Sequence, residues 1–304
     1  MKATRDGFGE QLVISAKHNK NIIGLSADLG KATKIDKFSV EYPDRFFEIG
    51  IAENNMIGVA SGLSEYGYKV FLASFASFLT GKYDTIRCSI AYSKSPCIIV
   101  GTHCGMAIGR DGVTQMGLED LSLMRSLPEM VVLNPSTYNQ TKAIVRYLCD
   151  SKLNSPHYLR LGRQPIDEIY EDDVDFKIEK EFVCRKGSTK NVIFSTGCIL
   201  PDVLEATKDM DITIIDVPTI KPLNIESIKQ YDNCNIFTVE DHSIIGGLGT
   251  AVAEVIAEHG MHSKLHRIGI NDVFPESGLP SDLYKKYGLD SDSIKNRILN
   301  ALGE

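Results

Sequence analysis

Tryptophan is absent from the 304-residue sequence, and aromatic residues make up only 8% of it. Long apolar runs are absent too: none approaches the roughly 18 residues of a membrane-spanning helix, and no apolar segment follows the charged N-terminus as in a secretory signal. The seven cysteines are odd in number and scattered, without a CxxC pair. This pattern argues against a disulfide framework and favours reduced thiols, so we expect a cytoplasmic protein with no membrane association.

The sequence also lacks an excess of basic residues. Lys and Arg number 33 against 40 Asp and Glu, which gives a formal net charge of −7. That balance argues against nucleic acid or an anionic membrane as the main partner, although it leaves room for a local basic site that holds a phosphate. With 43% hydrophobic and 24% charged residues, the composition is that of a globular protein, and the length favours two domains.

Strand and helix patterns alternate along the chain. Continuous apolar runs such as 96–101 and 130–133 are typical of strands buried on both faces of a parallel sheet. The alternation predicts an α/β fold of two domains with mainly parallel sheets. An acidic stretch at 167–188 is interpreted as the linker between a first domain, 1–166, and a second domain, 189–304. The alternative is a solvated loop inside one domain.

The most informative stretch is Phe46–Met56, where a short strand is followed by Gly50 and by Glu53 at the start of an apolar helix. A carboxylate at a helix N-terminus is favoured by the helix dipole, so a capping charge is the simple interpretation of Glu53. Spacing alone does not choose between that role and a catalytic one.

Five blocks, in order along the chain, resemble the transketolase family. Phe46–Met56 is similar to the family motif in which a glycine and a glutamate precede a helix. The other blocks are Ser26–Leu29, Ser74–Leu79 with Tyr83–Arg87, Thr102–Gly105 with Gly109–Gln115, and Leu161–Gln164. Val239–His242 and Gly246–Gly249 look like the family's last domain. The resemblance therefore implies a pyrimidine-binding domain followed by a transketolase C-terminal domain, as in the related 1-deoxy-xylulose-phosphate synthases and 2-oxo-acid dehydrogenase β subunits.

The resemblance implies thiamine diphosphate as the cofactor. Glu53 is then the catalytic carboxylate that hydrogen-bonds the pyrimidine ring and lets the cofactor's own amino group act as a base. Phe75 and Phe78 are expected to form an apolar wall around that ring, and Asp28 is expected to lie close to the cofactor. Ordinary core aromatics and a strand-end turn residue are the alternative interpretations of these three.

The same resemblance implies residues that handle a sugar. His103 is expected to be catalytic and to contact the substrate, and Arg163 to clamp its terminal phosphate, because a guanidinium fork suits that anion. The implied substrate-binding set is His103, Asp111, Gln115, Arg160 and Arg163. Arg160 could equally be a surface ion-pair residue. Gln115 replaces a family histidine, so it can hydrogen-bond a hydroxyl but cannot transfer a proton near neutral pH.

A Gly-Asp-Gly motif, which the family uses with later Asn ligands to bind the diphosphate and Mg²⁺, is missing from the sequence. We therefore expect a separate N-terminal subunit to carry the diphosphate-binding domain and most ligands of the Mg²⁺ (or other divalent cation), in an α2β2 heterotetramer. No metal site is expected in this chain, since His259, His262 and His266 lack an acidic or thiolate partner nearby. Gly246–Gly249 is interpreted as a tight strand-to-helix turn.

The resulting hypothesis is the C-terminal subunit of a split transketolase that transfers a two-carbon ketol unit from a ketose phosphate to an aldose phosphate. Cys104 and Arg110 replace the family's usual Asp and Glu, so the sugars and their phosphorylation stay open. The alternatives are a synthase-like enzyme that uses pyruvate, a 2-oxo-acid dehydrogenase β subunit, and a non-catalytic regulatory subunit. The loop from His103 to Gln115 fits sugar handling, and Glu53 argues against a subunit without catalysis.

Overall fold

Two β-sheets flanked by helices make up the protein in a computed structural model, which describes residues 1–303. Within these residues the strands are β1 (Ile22–Ser26), β2 (Phe46–Glu48), β3 (Lys69–Phe75), β4 (Ile98–Thr102), β5 (Val131–Leu133), β6 (His157–Arg160), β7 (Phe182–Arg185), β8 (Asn191–Thr196), β9 (Thr213–Asp216), β10 (Thr219–Lys221), β11 (Asn235–Ser243) and β12 (Lys264–Ile270). The helices are α1 (Thr4–Ala16), α2 (Gly30–Thr33), α3 (Asp36–Glu41), α4 (Glu53–Glu65), α5 (Ala76–Thr80), α6 (Tyr83–Thr85), α7 (Asp120–Ser126), α8 (Tyr138–Asp150), α9 (Leu200–Ala206), α10 (Ile225–Lys229), α11 (Leu248–Glu258), α12 (Pro280–Lys286) and α13 (Ser291–Leu302). None of the helices in this range is long and apolar enough to cross a membrane.

The first sheet has the strand order β10-β5-β6-β4-β3-β1-β2, and its strands are parallel except for β10. Strands β1, β4 and β6 are buried at every residue, because helices cover both faces of the sheet. Parallel strands end at one common edge, so the residues that follow them meet there. This edge, which we call the carboxyl edge, carries Glu53, Asp28, Phe75, His103 and Arg163, in sheet order from β2 to β6.

The second sheet has the order β12-β11-β8-β9-β7 and is parallel except for β7. The two sheets confirm the predicted α/β class with mainly parallel strands. We call residues 1–166 the first-sheet region and residues 182–303 the second-sheet region. Glu240, Asp241 and His242 lie near the end of β11, and all three side chains are buried. The turn after it leads into α11 through Gly247, as the sequence predicted.

The two regions share structure. Strand β10 lies in the second-sheet region, yet it pairs with β5 of the first sheet. One hydrophobic core contains Leu25 and Tyr158 from the first-sheet region together with Val192 and Phe194 from the second. The second-sheet region is therefore packed against the first, and its residues reach the loops of the carboxyl edge.

One local prediction differs from the structure. Residues 80–92 have a helical pattern that predicts one helix, but α5 ends at Thr80, and a π-helical turn at 86–91 follows the short α6. Gly81 at the break explains this, because glycine disfavours a helix interior. The predicted linker contains β7, which pairs with β9, and buried Val174 and Phe176. Apolar side chains that alternate with the acidic ones pack this segment against the rest of the protein. A reading of the segment by its acidic charge alone misses these apolar contacts.

Candidate active site

An aromatic cluster occupies the centre of the carboxyl edge. Phe75 ends β3, and its ring centroid lies 3.8 Å from that of His103, which follows β4. Phe75 also stacks on Phe78, with centroids 5.3 Å apart and an interplanar angle of 21°. Phe75 and His103 are buried, whereas Phe78 is half-buried. The structure thus brings together three of the residues expected from the sequence and forms an apolar wall with one polar ring.

Hydrogen bonds fix the imidazole of His103 in one neutral form. Nε2 lies 3.0 Å from Nη1 of Arg5, and a guanidinium can only donate, so Nε2 accepts. Nδ1 therefore carries the proton and donates to Oγ1 of Thr102 at 2.9 Å. Burial lowers the pKa of His103 to about 3, and the positive charges of Arg5 and Arg163 add to this effect. The ring is consequently uncharged at neutral pH.

Arg5 belongs to this cluster, although nothing in the sequence singled it out. It lies in α1, and its Nη1 also donates to the carbonyl oxygen of Ala32 at 2.7 Å. Its Nε is buried without a hydrogen-bond partner, and none of the ion pairs in residues 1–303 includes Arg5. Burial lowers the pKa of Arg5. A half-buried guanidinium without a carboxylate partner favours the binding of an anion.

Arg163 supplies a second positive charge at the same edge. It is exposed, and its Nη1 donates to Oδ2 of Asp111 at 3.2 Å and to the carbonyl oxygen of Ile108 at 3.3 Å. The structure therefore joins two expected site residues, Arg163 and Asp111, in a surface ion pair. Because the charges of Arg5 and Arg163 both act on His103, this side of the cluster is electrostatically suited to an anion.

Arg160 lies apart from this cluster, in the protein interior. Its Nε donates to Oδ2 of Asp120 at 2.9 Å, and its Nη2 donates to the carbonyl oxygens of Gly117 and Asp241. Burial alone would raise the pKa of Asp120, but Arg160, His242 and a hydrogen bond from Tyr158 lower it below its ordinary value. Arg160 is thus half of a buried ion pair, and its guanidinium is already occupied by protein acceptors.

Glu53 is the first residue of α4, and the residue is 9% exposed. Within residues 1–303 its carboxylate accepts no hydrogen bond, so both oxygens are free to accept one from a ligand. Asp28 is exposed with a positive φ of 58°, and its N–H donates to Oε1 of Glu48 at 2.6 Å. Gln115 is half-buried in the turn at 113–115. Glu53, Asp28 and Gln115 do not hydrogen-bond the His103 cluster.

The part of the chain that the structure describes contains no group of three or more His, Cys, Asp or Glu side chains arranged to hold a metal ion. The histidines near the C-terminus lie in different surroundings. His266 stacks on Phe237 at a centroid distance of 4.8 Å, whereas exposed His262 lies 3.8 Å from a carboxylate oxygen of Asp232. Their side chains therefore serve packing and surface contacts.

The sequence matches the family descriptions "Transketolase, pyrimidine binding domain" over residues 1–167 and "Transketolase, C-terminal domain" over residues 181–294. The chain belongs to the transketolase family. It is 43% identical to a chain described as a transketolase C-terminal section in Methanocaldococcus jannaschii, with 99% of this chain and 96% of the relative covered. It is 30% identical to one subunit of the apulose-4-phosphate transketolase of Phocaeicola vulgatus, with 97% and 96% covered.

Longer relatives and a solved structure give the same picture. The chain is 34% identical to human transketolase over 97% of its own length, but it spans only 48% of that relative. It also resembles a solved structure described as a split gene transketolase, an inactive β4 tetramer, with a TM-score of 0.90 and 38% identity over 100% of this chain and 99% of the other. The chain thus corresponds to about half of a full-length transketolase.

Proposed function

We propose that this chain is the C-terminal subunit of a thiamine-diphosphate-dependent transketolase, which transfers a two-carbon ketol unit from a ketose phosphate to an aldose phosphate. The observation that carries this proposal is the position of Glu53. The residue is nine-tenths buried at a helix N-terminus, at the carboxyl edge that also holds the Phe75–Phe78 pair, and its carboxylate has no hydrogen-bond partner among residues 1–303. A largely buried glutamate whose carboxylate oxygens are free suits a ligand that brings a hydrogen-bond donor.

The residues at this edge fit the pyrimidine ring of the cofactor. Glu53 accepts a hydrogen bond from a ring nitrogen, Phe75 and Phe78 form the apolar wall, and Asp28 lies beside the site. When bound, thiamine diphosphate supplies the nucleophilic carbon for attack on the ketose carbonyl. The contribution of this chain is to bind and orient the ring and to keep water away from it.

The cationic side of the His103 cluster fits the substrate. Arg5 and Arg163 bind the terminal phosphate of the sugar, because two guanidinium groups near a neutral imidazole attract an anion and can hydrogen-bond its oxygens. His103 helps to position the substrate as an uncharged ring whose two nitrogens are held by Arg5 and Thr102, since its pKa of about 3 keeps it neutral near neutral pH. Asp111 and Gln115 hold sugar hydroxyls. Arg160 keeps this site in place from the interior.

A second chain binds the diphosphate and Mg²⁺ in this proposal. The sequence has no Gly-Asp-Gly motif, and residues 1–303 hold no group of metal ligands. Two relatives, one described as a C-terminal section and the other as one subunit of a transketolase, support this arrangement, as does the likeness to a split gene transketolase. The working enzyme is then an α2β2 assembly of this chain with a second chain that carries the diphosphate-binding domain.

Purification of the chain from its native host, followed by mass spectrometry of what co-purifies, tests the proposal. The expected result is a stoichiometric second chain with a Gly-Asp-Gly motif and a downstream Asn. The complex should then transfer a two-carbon unit between sugar phosphates only when thiamine diphosphate and Mg²⁺ are present. Release of CO₂ from pyruvate instead of ketol transfer would favour a synthase. A chain that purifies alone and binds no cofactor contradicts the proposal.

A further inference from the structure

The loop that carries His103, Asp111 and Gln115 rests on the second-sheet region. A Cβ added to Gly109 would lie 2.9 Å from Cδ of Pro280, and one added to Gly112 would lie 2.5 Å from Oγ of Ser277. A Cβ on Gly105 would overlap the carboxylate of Asp241. Glycine at these positions therefore lets the loop backbone approach the second-sheet region more closely than any residue with a side chain could. The shape of the loop fits the surface of that region.

Asp241 is the polar centre of this contact. It lies in β11 and is buried, and its Oδ1 accepts a hydrogen bond from the backbone N–H of Met106 at 3.2 Å. Its Oδ2 accepts from the hydroxyl of Tyr284 in α12. Its backbone carbonyl accepts from Nη2 of Arg160 at 2.9 Å. Asp241 thus connects the loop that carries His103, helix α12 and the buried Arg160–Asp120 pair.

The loop needs such support because its backbone is unusual. His103 has a positive φ of 60°, and Gly105, Gly109 and Gly112 have φ values of 74°, 69° and 80°. A non-glycine residue in this conformation is strained and is held there by its surroundings. Gly105 donates its N–H to the carbonyl oxygen of Gly117, and the next N–H, that of Met106, is donated to Asp241.

We propose that Asp241 is a positioning residue, through which the second-sheet region holds the loop so that His103 and Asp111 face the substrate. The residue itself contacts neither cofactor nor substrate; it acts through Met106 and Gly105. Its effect on the reaction rests on the function proposed above, whereas its effect on the loop does not. Loss of the carboxylate frees the loop and misplaces both substrate-binding side chains.

Three variants test this proposal. Asp241→Ala removes both acceptors, whereas Asp241→Asn keeps an oxygen for Met106 and a polar group for Tyr284. Asp202→Ala is the matched control, because Asp202 and Asp241 line one cavity, and Asp202 accepts a hydrogen bond from Ser291 at 3.2 Å but none from the loop. Hydrogen exchange of the amides at 104–112 is measured on this chain. The same variants are then assayed in the complex with the second chain.

The expected result is faster exchange at Met106 in Asp241→Ala alone. The complex of that variant should show a KM for the ketose phosphate raised on the order of tenfold to hundredfold with kcat much less affected, and Asp241→Asn should restore both readouts. Normal exchange in Asp241→Ala, or equal loosening in Asp202→Ala, overturns the proposal. So does an unchanged KM in an active complex. If the wild-type complex transfers nothing, the proposed function fails, and the exchange measurement still decides the role of Asp241 in the loop.

Discussion

Nη1 of Arg5 lies 3.0 Å from Nε2 of His103, so a residue near the start of the chain contacts one that follows the fourth strand of the first sheet. Thr102 holds the other ring nitrogen at 2.9 Å. Both nitrogens are therefore engaged by protein, and the imidazole is fixed in orientation and charge before a substrate arrives. A site prepared in this way loses little freedom when it binds, which favours tight positioning of the ligand.

Replacement of Arg5 by Ala should weaken the binding of phosphorylated substrate. A charge-assisted hydrogen bond contributes about 1.5–3 kcal/mol, so the KM for a ketose phosphate should rise roughly tenfold to hundredfold in the assembled enzyme. The KM for the unphosphorylated ketose is the control and should change little. Equal effects on both sugars would remove Arg5 from the phosphate site.

The same variant should change the titration of His103. Burial is the main cause of its low pKa, and the charge of Arg5 is the next. Loss of that charge should raise the pKa of His103 above its value of about 3, as measured by NMR titration of the imidazole in this chain. An unchanged titration would mean that the contact between Arg5 and His103 does not persist in solution.

His103 should also make folding stability depend on pH. Its pKa is about 3 in the folded chain and 6.5 ordinarily, so between these values the unfolded chain binds the proton and the folded chain does not. The stability that neutral His103 contributes to the folded state is fully present above pH 6.5 and is lost as the pH falls. In denaturant titrations at pH 4–6, His103→Gln should therefore show a slope of stability against pH that is smaller by about 1.4 kcal/mol per unit.

Other histidines titrate in the same range, and they serve as the internal reference. Burial lowers the pKa of both His157 and His242 to about 4, and both remain in the variant. The wild type and His103→Gln should therefore both lose stability in acid, and only the difference between their slopes reports His103. Parallel curves would contradict a buried, neutral His103.

The alternation of strand and helix patterns predicted the α/β class, and the family resemblance alone pointed to Phe75, His103 and Arg163. The structure gives the physical reason why these three residues come together. In a parallel sheet, the residues that follow each strand meet at one edge. Neither the alternation nor the resemblance required knowledge of how distant side chains pack.

Residues whose role depends on such packing escaped prediction. Arg5 lies in a helix outside the sheet, and nothing in its local sequence reveals that it reaches His103. Arg160 has the same residue type as Arg163, three positions on, and only the burial of its partner Asp120 shows that it serves the interior. Strand β10 joins the first sheet by pairing with β5, and no local sequence pattern predicts this pairing.

Arg160 and Arg163 should consequently respond to substitution in opposite ways. Arg160→Met leaves the buried carboxylate of Asp120 without its charge partner, which should lower the free energy of unfolding by about 3–5 kcal/mol. Arg163→Ala breaks only a surface ion pair, with an expected loss of no more than about 1 kcal/mol, but it should raise the KM for phosphorylated sugars. Urea denaturation and steady-state kinetics of the two variants give this comparison. A stable Arg160→Met protein would mean that the ion pair does not support the fold.

The proposed function depends most on the catalytic role of Glu53, and one experiment on the assembled enzyme decides that role. Transfer of a ¹³C-labelled two-carbon unit from a ketose phosphate is followed with wild type, with Glu53→Gln, and with Glu65→Gln as a control at the other end of α4. We expect transfer by the wild type and the control, and a loss of roughly a hundredfold or more in Glu53→Gln with its fold intact. Undiminished transfer by Glu53→Gln would contradict a catalytic Glu53 and, with it, the proposed function.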